Sequence, residues 1–412
     1  MVASYKWQFK SKFRANAYGW NGSRLAVDRL RAAVAEIRSV AKTDPLLAGE
    51  GVILLAERIW PSLQSIDSSS GALGSAVSRT LDDLIPILIA APAKPTARGK
   101  WLSRLFEAVQ EDGVDFLSPL EERWGEIAQY PELMEEYVEL LVGTVRLAWA
   151  DHATFSYVSG TSICLSCLLE LGRYEELQEV LAIRRIKFWP WHRFGANALV
   201  RQGLWEGAIA YAEAARDRTN SNFSDPSIDR FCETVLIKNG RSDEAYQRYG
   251  LKTARGTTNL AVYRSLLRQY PDRDRRQMLL DLIDARGDKP KWFAAAKDAG
   301  FFDIALECAS MSGADPSTLV RAARDFQKKE PKFAAMVAWF ALSSLLSGGG
   351  YDPVPADAAD AVTYLWAAAL EIGALGWAEE ELDKLISRSC APGREMFQRV
   401  MKTAIDQRKQ TS

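Results

Sequence analysis

A glycine followed three residues later by an acidic residue, and flanked by helix-forming sequence, recurs at five places between residues 172 and 379 of this 412-residue chain. The five pairs are Gly172 and Glu175, Gly203 and Glu206, Gly240 and Asp243, Gly300 and Asp303, and Gly376 and Glu379. Glycine readily takes the left-handed conformation that closes a helix, and a carboxylate stabilises the positive start of the next one. The pattern therefore predicts a series of helical hairpins.

The spacing of these glycines predicts that the hairpins form an array. The intervals are 31, 37, 60 and 76 residues, and the shorter two match the length of one helix-turn-helix repeat. The longer two are about twice that length, so we expect one further hairpin inside each interval. Its helices would lie around 260–270 and 275–284 in the first case, and around 319–327 and 333–346 in the second. Each hairpin must stack on its neighbours to bury its apolar face.

The first part of the chain also has helical sequence patterns, but they do not recur with a recognisable repeat length. Strand signals are nearly absent, and prolines and glycines separate apolar segments of helical spacing. We therefore expect an all-α fold of antiparallel hairpins stacked into an α-solenoid, with an N-terminal helical domain. The expected divisions are a basic aromatic segment (1–20), the N-terminal domain (21–150), the repeats (151–390), and a capping helix with its tail (391–412).

The sequences around Gly172 and Gly203 resemble the turn and second helix of a tetratricopeptide repeat. They read Leu-Gly-Arg-Tyr-Glu-Glu-Leu from residue 171 and Gln-Gly-Leu-Trp-Glu-Gly-Ala from residue 202, and those around Gly240 and Gly300 are similar. The resemblance covers roughly residues 157–390. It implies a right-handed superhelix whose first helices line a concave, peptide-binding surface, with contacts ten, six and two residues before each turn glycine.

Two sets of polar residues occupy those positions. They are Arg193, Asn197 and Arg201 before Gly203, and Arg230, Thr234 and Lys238 before Gly240. Each set is spaced i, i+4, i+8 and shares one helix face. Guanidinium groups bind carboxylates through charge-assisted hydrogen bonds. The sequence thus favours a protein-interaction adaptor or scaffold that captures an acidic or extended segment of another protein; the alternative is an ordinary solvated basic face.

A second hypothesis is nucleic-acid binding by the N-terminus, alone or as a non-catalytic subunit of a nucleoprotein complex. The possible contacts are Lys6, Trp7, Lys10, Lys12 and Arg14, which combine cations with an aromatic ring. A second basic tract runs from residue 248 to 276. The competing interpretation is that the N-terminal aromatics anchor this segment on the first hairpin. The overall charge of -1 decides nothing between them.

Catalytic, metal and cofactor sites are not expected. The chain has two histidines and no Gly-x-Ser-x-Gly, phosphate-binding loop or His-Glu-x-x-His motif. Cys164 and Cys167 have the spacing of half a zinc site, but no second Cys-x-x-Cys exists, so buried thiols are favoured. Five scattered cysteines, with no secretion signal and no apolar run of spanning length, predict a cytoplasmic protein without a membrane span.

Overall fold

The computed structural model describes residues 5–150, 158–184, 187–216 and 226–411, and this part of the chain is helical and contains no strand. The predicted all-α class is confirmed. The chain divides into two compact units, Met1–Val235 and Leu236–Ser412. This division differs from the expected boundary between residues 150 and 151, which adjoins a segment (151–157) outside the described residues.

The first unit begins with a 3-10 turn, Phe9–Ser11, and continues as stacked helices. These are α1 (Ser23–Ala41), α2 (Pro45–Leu63), α3 (Ala72–Ala90), α4 (Pro95–Glu111), α5 (Ser118–Glu122), α6 (Trp124–Ala128), α7 (Pro131–Ala150), α8 (Thr161–Glu170), α9 (Tyr174–Ile183), α10 (Trp189–Arg201), α11 (Trp205–Ala214) and most of α12 (Pro226–Lys238). One apolar core extends from Trp7 through Ala198, so the expected N-terminal domain and first repeats share their core.

The second unit continues the all-helical pattern. Its elements are α13 (Ser242–Ala245), a π-helical turn (Tyr246–Gly250), α14 (Leu251–Thr253), α15 (Asn259–Gln269), α16 (Arg275–Arg286), a 3-10 turn (Lys289–Trp292), α17 (Phe293–Ala299), α18 (Phe302–Ser310), α19 (Pro316–Phe326), α20 (Pro331–Leu346), α21 (Pro355–Glu371), α22 (Leu375–Ser387) and α23 (Glu395–Thr411). The two hairpins expected within the long glycine intervals are present as α15–α16 and α19–α20. Phe397, Met401 and Ile405 bury one face of α23.

Four of the five predicted turn glycines have the expected conformation. Gly172, Gly203, Gly240 and Gly300 have φ between 71° and 83°. At each one the next residue donates its N–H to the carbonyl five positions back, as in the 3.0 Å bond from Arg173 to Leu168. This is the Schellman closure of a helix.

The prediction at Gly376 is wrong. Gly376 lies inside α22, and the left-handed residue at this turn is Gly373, with φ of 66°. The N–H of Ala374 completes the closure on the carbonyl of Ala369 at 2.9 Å. The hairpin is therefore present, and its turn lies three residues earlier than the sequence pattern indicates.

A fully buried arginine donates hydrogen bonds to backbone carbonyls at the C-terminal end of α3. Arg98, on α4, donates from Nη1 to the Leu88 carbonyl (2.7 Å) and from Nη2 to the Ala91 carbonyl (2.5 Å) and to Oε1 of Gln129 (2.8 Å). A cation at the C-terminal end of a helix interacts favourably with the helix dipole. Burial lowers the pKa of Arg98, and these oxygens hold its charge with no carboxylate partner among the described residues.

None of the helices in the described ranges is both long and apolar enough to cross a bilayer.

Candidate functional site

The predicted groove residues of α10 lie along one side of the helix. Arg193 and Asn197 are half-buried, and Arg201 is exposed at the end of the helix. Pro190 is the second residue of α10 and is compatible with its first turn, where its missing N–H leaves no gap in hydrogen bonding. All three residues belong to this one continuous helix, and their i, i+4, i+8 spacing places them in a row, here called the α10 row.

Both arginines of this row bond to carboxylates from other helices. Nη2 of Arg193 lies 2.8 Å from Oε2 of Glu122, at the end of α5. Nη1 of Arg201 lies 3.0 Å from Oε2 of Glu170, at the end of α8, while its Nη2 bonds to the other oxygen of Glu170. The pairs are partly exposed, with the side chains of Arg193 and Glu122 accessible by 36% and 33%. The row is thus oriented for carboxylates and already contacts two.

The second predicted set lies on α12 and divides between the two units. Arg230 is half-buried and Thr234 is exposed, and both belong to the first unit. Within that unit, Trp189 at the start of α10 packs edge-on against Phe231 of α12, with ring centroids 5.4 Å apart. Lys238 is exposed in the last turn of α12 and belongs to the second unit.

Most of the aromatic side chains of the N-terminal segment pack into the first unit, whereas those of Tyr5 and Trp20 are exposed. Trp7, Phe9 and Phe13 are 7%, 3% and 1% exposed. The backbone N–H groups of Gln8 and Phe9 donate to the two oxygens of Glu36 on α1, at 2.8 and 3.1 Å. Because these rings are buried, they offer no surface on which a base could stack.

The cations of the same segment remain at the surface. Lys6, Lys10, Lys12 and Arg14 are exposed. Nε of Arg14 donates to the Ser11 carbonyl at 3.0 Å, which holds the turn at the end of the segment. Of the five possible nucleic-acid contacts, the four cations are accessible and Trp7 is part of the core.

A cleft between α1 and α3, missed by the sequence analysis, contains a second group of arginines. Its volume is about 430 Å³, with Val27, Val34 and Ala76 on the floor and Arg31, Arg38 and Arg79 around it. The helical spacing of the α1 residues follows from Ser23–Ala41 being a single unbroken helix. In the sequence, Arg24, Arg31 and Arg38 are spaced by seven residues, which is the one local signal for a basic face on this helix.

Two ionisable side chains are buried near the α10 row. Burial, together with the nearby Asp115 and Asp112, raises the pKa of Glu121 on α5 to about 7. Burial lowers the pKa of His192 on α10 to about 4, and Nδ1 of His192 lies 2.6 Å from the Tyr211 hydroxyl. Both groups are therefore uncharged over much of the mildly acidic range, which is compatible with their place in the helix packing.

The thiols are those of a packed core. Cys164, Cys167, Cys232 and Cys308 are buried and form no disulfide, and burial raises the pKa of Cys164 to about 12. A thiol with a raised pKa is a poor nucleophile and metal ligand at neutral pH. Across the described ranges, no three or more His, Cys, Asp or Glu side chains are grouped as a metal ion would require. His152 lies outside the described residues.

No family model and no curated protein matches the chain. Among solved structures, the chain has a match described as "Circular tandem repeat protein with novel repeat topology and enhanced subunit contact surfaces". The two are 14% identical, and the match covers 98% of this chain and 97% of that one, with a TM-score of 0.17. A likeness of this degree carries no argument about function.

Proposed function

We propose that the chain is a non-enzymatic helical-repeat protein that captures an acidic, extended segment of a partner protein along the α10 row. The observation that carries the proposal is that Arg193 and Arg201 both hold carboxylates from other helices. A guanidinium group that bonds to a protein carboxylate in this way has the orientation needed for a carboxylate of a ligand. Arg230 and Thr234 on α12 would extend the same polar surface within the first unit.

The spacing of the row fits an extended ligand. Arg193 and Arg201 are eight residues apart on one helix, which separates them by roughly 12 Å along its axis. An extended chain covers that distance in about four residues, and side chains four apart in an extended chain point to the same side. Asn197 lies halfway between the arginines and supplies both a donor and an acceptor for the backbone of such a chain.

Glu122 and Glu170 would act as internal competitors of the ligand. Each pair is partly exposed, and exposed ion pairs contribute little net stability because water and salt screen them. An incoming carboxylate can therefore replace an internal one at low cost. Removing the internal carboxylates should strengthen binding, whereas removing the arginines should weaken it.

The absence of an enzymatic role is part of the proposal. His192 is buried and hydrogen-bonded to Tyr211, and burial lowers its pKa, so it has the properties of a packing residue. Burial raises the pKa values of the Cys164, Cys167 and Cys308 thiols. These features favour binding over acid-base or nucleophilic chemistry.

The test uses a labelled extended peptide with aspartates four residues apart and measures its affinity by fluorescence anisotropy. We expect the double variant Arg193→Ala, Arg201→Ala to bind at least about tenfold more weakly than the wild type. Glu122→Gln with Glu170→Gln should bind more tightly. Peptides with asparagine in place of aspartate, or with aspartates three residues apart, are the matched controls.

The proposal fails if the folded arginine variant binds the aspartate peptide as well as the wild type does. A single-stranded oligonucleotide is included as a competitor. If it binds more tightly than the peptide and its binding depends on Lys6, Lys10 and Lys12 instead of the α10 row, nucleic-acid binding replaces this proposal.

A further inference from the structure

The α1–α3 cleft combines an apolar floor with a surplus of positive charge. Its volume of about 430 Å³ is sufficient for apolar side chains, and Val27, Val34 and Ala76 offer them a hydrophobic surface. Among the residues lining the cleft, Arg31, Arg38 and Arg79 are opposed by one carboxylate, that of Asp83. The lining therefore carries a net positive charge.

The three arginines are available to a ligand to different degrees. Arg79 has no carboxylate partner among the described residues, and it is exposed. Nη1 of Arg31 lies 3.1 Å from Oδ1 of Asp28, in a pair in which the two side chains are 74% and 59% accessible. Nη2 of Arg38 lies 2.9 Å from Oδ1 of Asp83, and both of these side chains are about half accessible. Pairs as exposed as these exchange partners readily.

We propose that this cleft binds an acidic amphipathic helix of a partner protein. The apolar side chains of that helix would lie on the floor, and its carboxylates would bond to Arg31, Arg38 and Arg79. Charge complementarity selects an acidic partner, and the apolar floor selects a ligand that also carries a hydrophobic face. A helix lying in a groove between two helices is an established mode of peptide recognition.

The spacing of the arginines favours a helical ligand over an extended one. Arg31 and Arg38 are seven residues apart, about 10 Å along α1. Two carboxylates seven residues apart on a ligand helix have the same separation and lie on one face. An extended chain would span this distance in about three residues, and side chains three apart point to opposite sides. Only one of its two carboxylates could then enter the cleft.

This inference extends the proposed scaffold function to a second surface of the first unit. It does not depend on Arg193 and Arg201, which lie on a different helix and bond to other carboxylates. The two proposals can therefore fail separately. A variant that loses binding at one surface serves as the control for the other.

The experiment measures anisotropy with a labelled synthetic helix that carries leucines on one face and glutamates seven residues apart. We expect Arg31→Gln with Arg79→Gln to weaken binding at least about tenfold. Ala35→Glu, which places a carboxylate in the cleft at an exposed position, should have an effect at least as large. Arg24→Gln with Lys42→Gln removes the same charge from exposed positions outside the cleft lining and should change affinity by less than about twofold.

Three results would overturn the inference. The first is equal affinity for a scrambled peptide of the same composition. The second is displacement of the helix by single-stranded DNA together with no effect of Ala35→Glu, which would identify a site for phosphates. The third is a self-associated protein that Arg31→Gln with Arg79→Gln converts to monomer, since the cleft would then hold a second copy of this chain. Binding of the helix by the Arg193→Ala, Arg201→Ala variant at wild-type strength would confirm that the surfaces are independent.

Discussion

Arg193 on α10 reaches Glu122 at the end of α5 with an Nη2 to Oε2 distance of 2.8 Å, and α8 packs against both of these helices. The pair joins residues 71 positions apart in the sequence. About a third of each side chain is accessible to solvent. The ion pair should therefore orient the two side chains more than it stabilises the fold.

The first prediction concerns the energy of this pair. A double-mutant cycle with Glu122→Gln and Arg193→Gln should give a coupling free energy of at most about 1 kcal/mol, decreasing as salt is added. Urea denaturation at low and high ionic strength measures it. A coupling of several kcal/mol that salt leaves unchanged would mean that the pair is structural, and a ligand could not displace Glu122 from Arg193 at low cost.

The second prediction concerns how the N-terminal segment is held. A methyl group at Gly51 of α2 would overlap the indole of Trp7, so Gly51→Ala should destabilise the packing of this segment by about 1–3 kcal/mol. Trypsin should then cleave faster at Lys10 and Lys12. Gly143 of α7 is the matched control, because its substituent would meet no atom within 4 Å and helical alanine is favoured over glycine by about 0.5–1 kcal/mol. Equal effects at both glycines would contradict the burial of Trp7.

The third prediction concerns the buried arginine at the end of α3. Arg98→Lys should be nearly as destabilising as Arg98→Met, by about 2 kcal/mol or more, because an ammonium group cannot reproduce the fork that reaches the Leu88 and Ala91 carbonyls. The urea midpoint of each variant measures the loss. Full stability of the lysine variant would show that the charge alone, without the fork geometry, is sufficient.

The sequence predicts turns well where the backbone conformation has a local signature. Gly172, Gly203, Gly240 and Gly300 each adopt the left-handed conformation that few other residues accept, so a single residue type marks them. The glycine-acid pattern does not identify the turn at Gly373, because the residue three positions later is Gly376 and not an acid. The true turn therefore lacked half of the pattern, and the complete pattern lay within a helix.

The candidate sites depend on which helix faces meet, and local spacing does not contain that information. The row of Arg193, Asn197 and Arg201 could be placed on one face of a helix, but its carboxylate partner Glu122 could not be identified. Similarly, the repeat of Arg31 and Arg38 marks a basic face, whereas the cleft requires Arg79 from a helix some 40 residues further along the chain. Packing between distant helices creates both arrangements.

The last prediction concerns the pH dependence of stability in the first unit. Burial and the neighbouring Asp115 and Asp112 raise the pKa of Glu121 from 4.5 to about 7. Between these two values the folded chain keeps a proton that the unfolded chain releases. The contribution of Glu121 to the free energy of unfolding therefore falls as pH rises from about 4.5 to 7. Burial and the nearby Lys187 lower the pKa of His192 from 6.5 to about 4. Its contribution is present above pH 6.5 and is lost as pH falls towards 4.

Between about pH 4.5 and 6.5 the two groups therefore change the free energy of unfolding in opposite directions. Each contributes on the order of 3 kcal/mol. Across this window, the stability of Glu121→Gln should rise more steeply with pH than that of the wild type. The stability of His192→Gln should instead fall with rising pH relative to the wild type. Urea midpoints measured at half-unit pH intervals provide the comparison. If both variants follow the wild-type slope, neither group titrates as its burial requires, and the packing of α5 and α10 described here would be wrong.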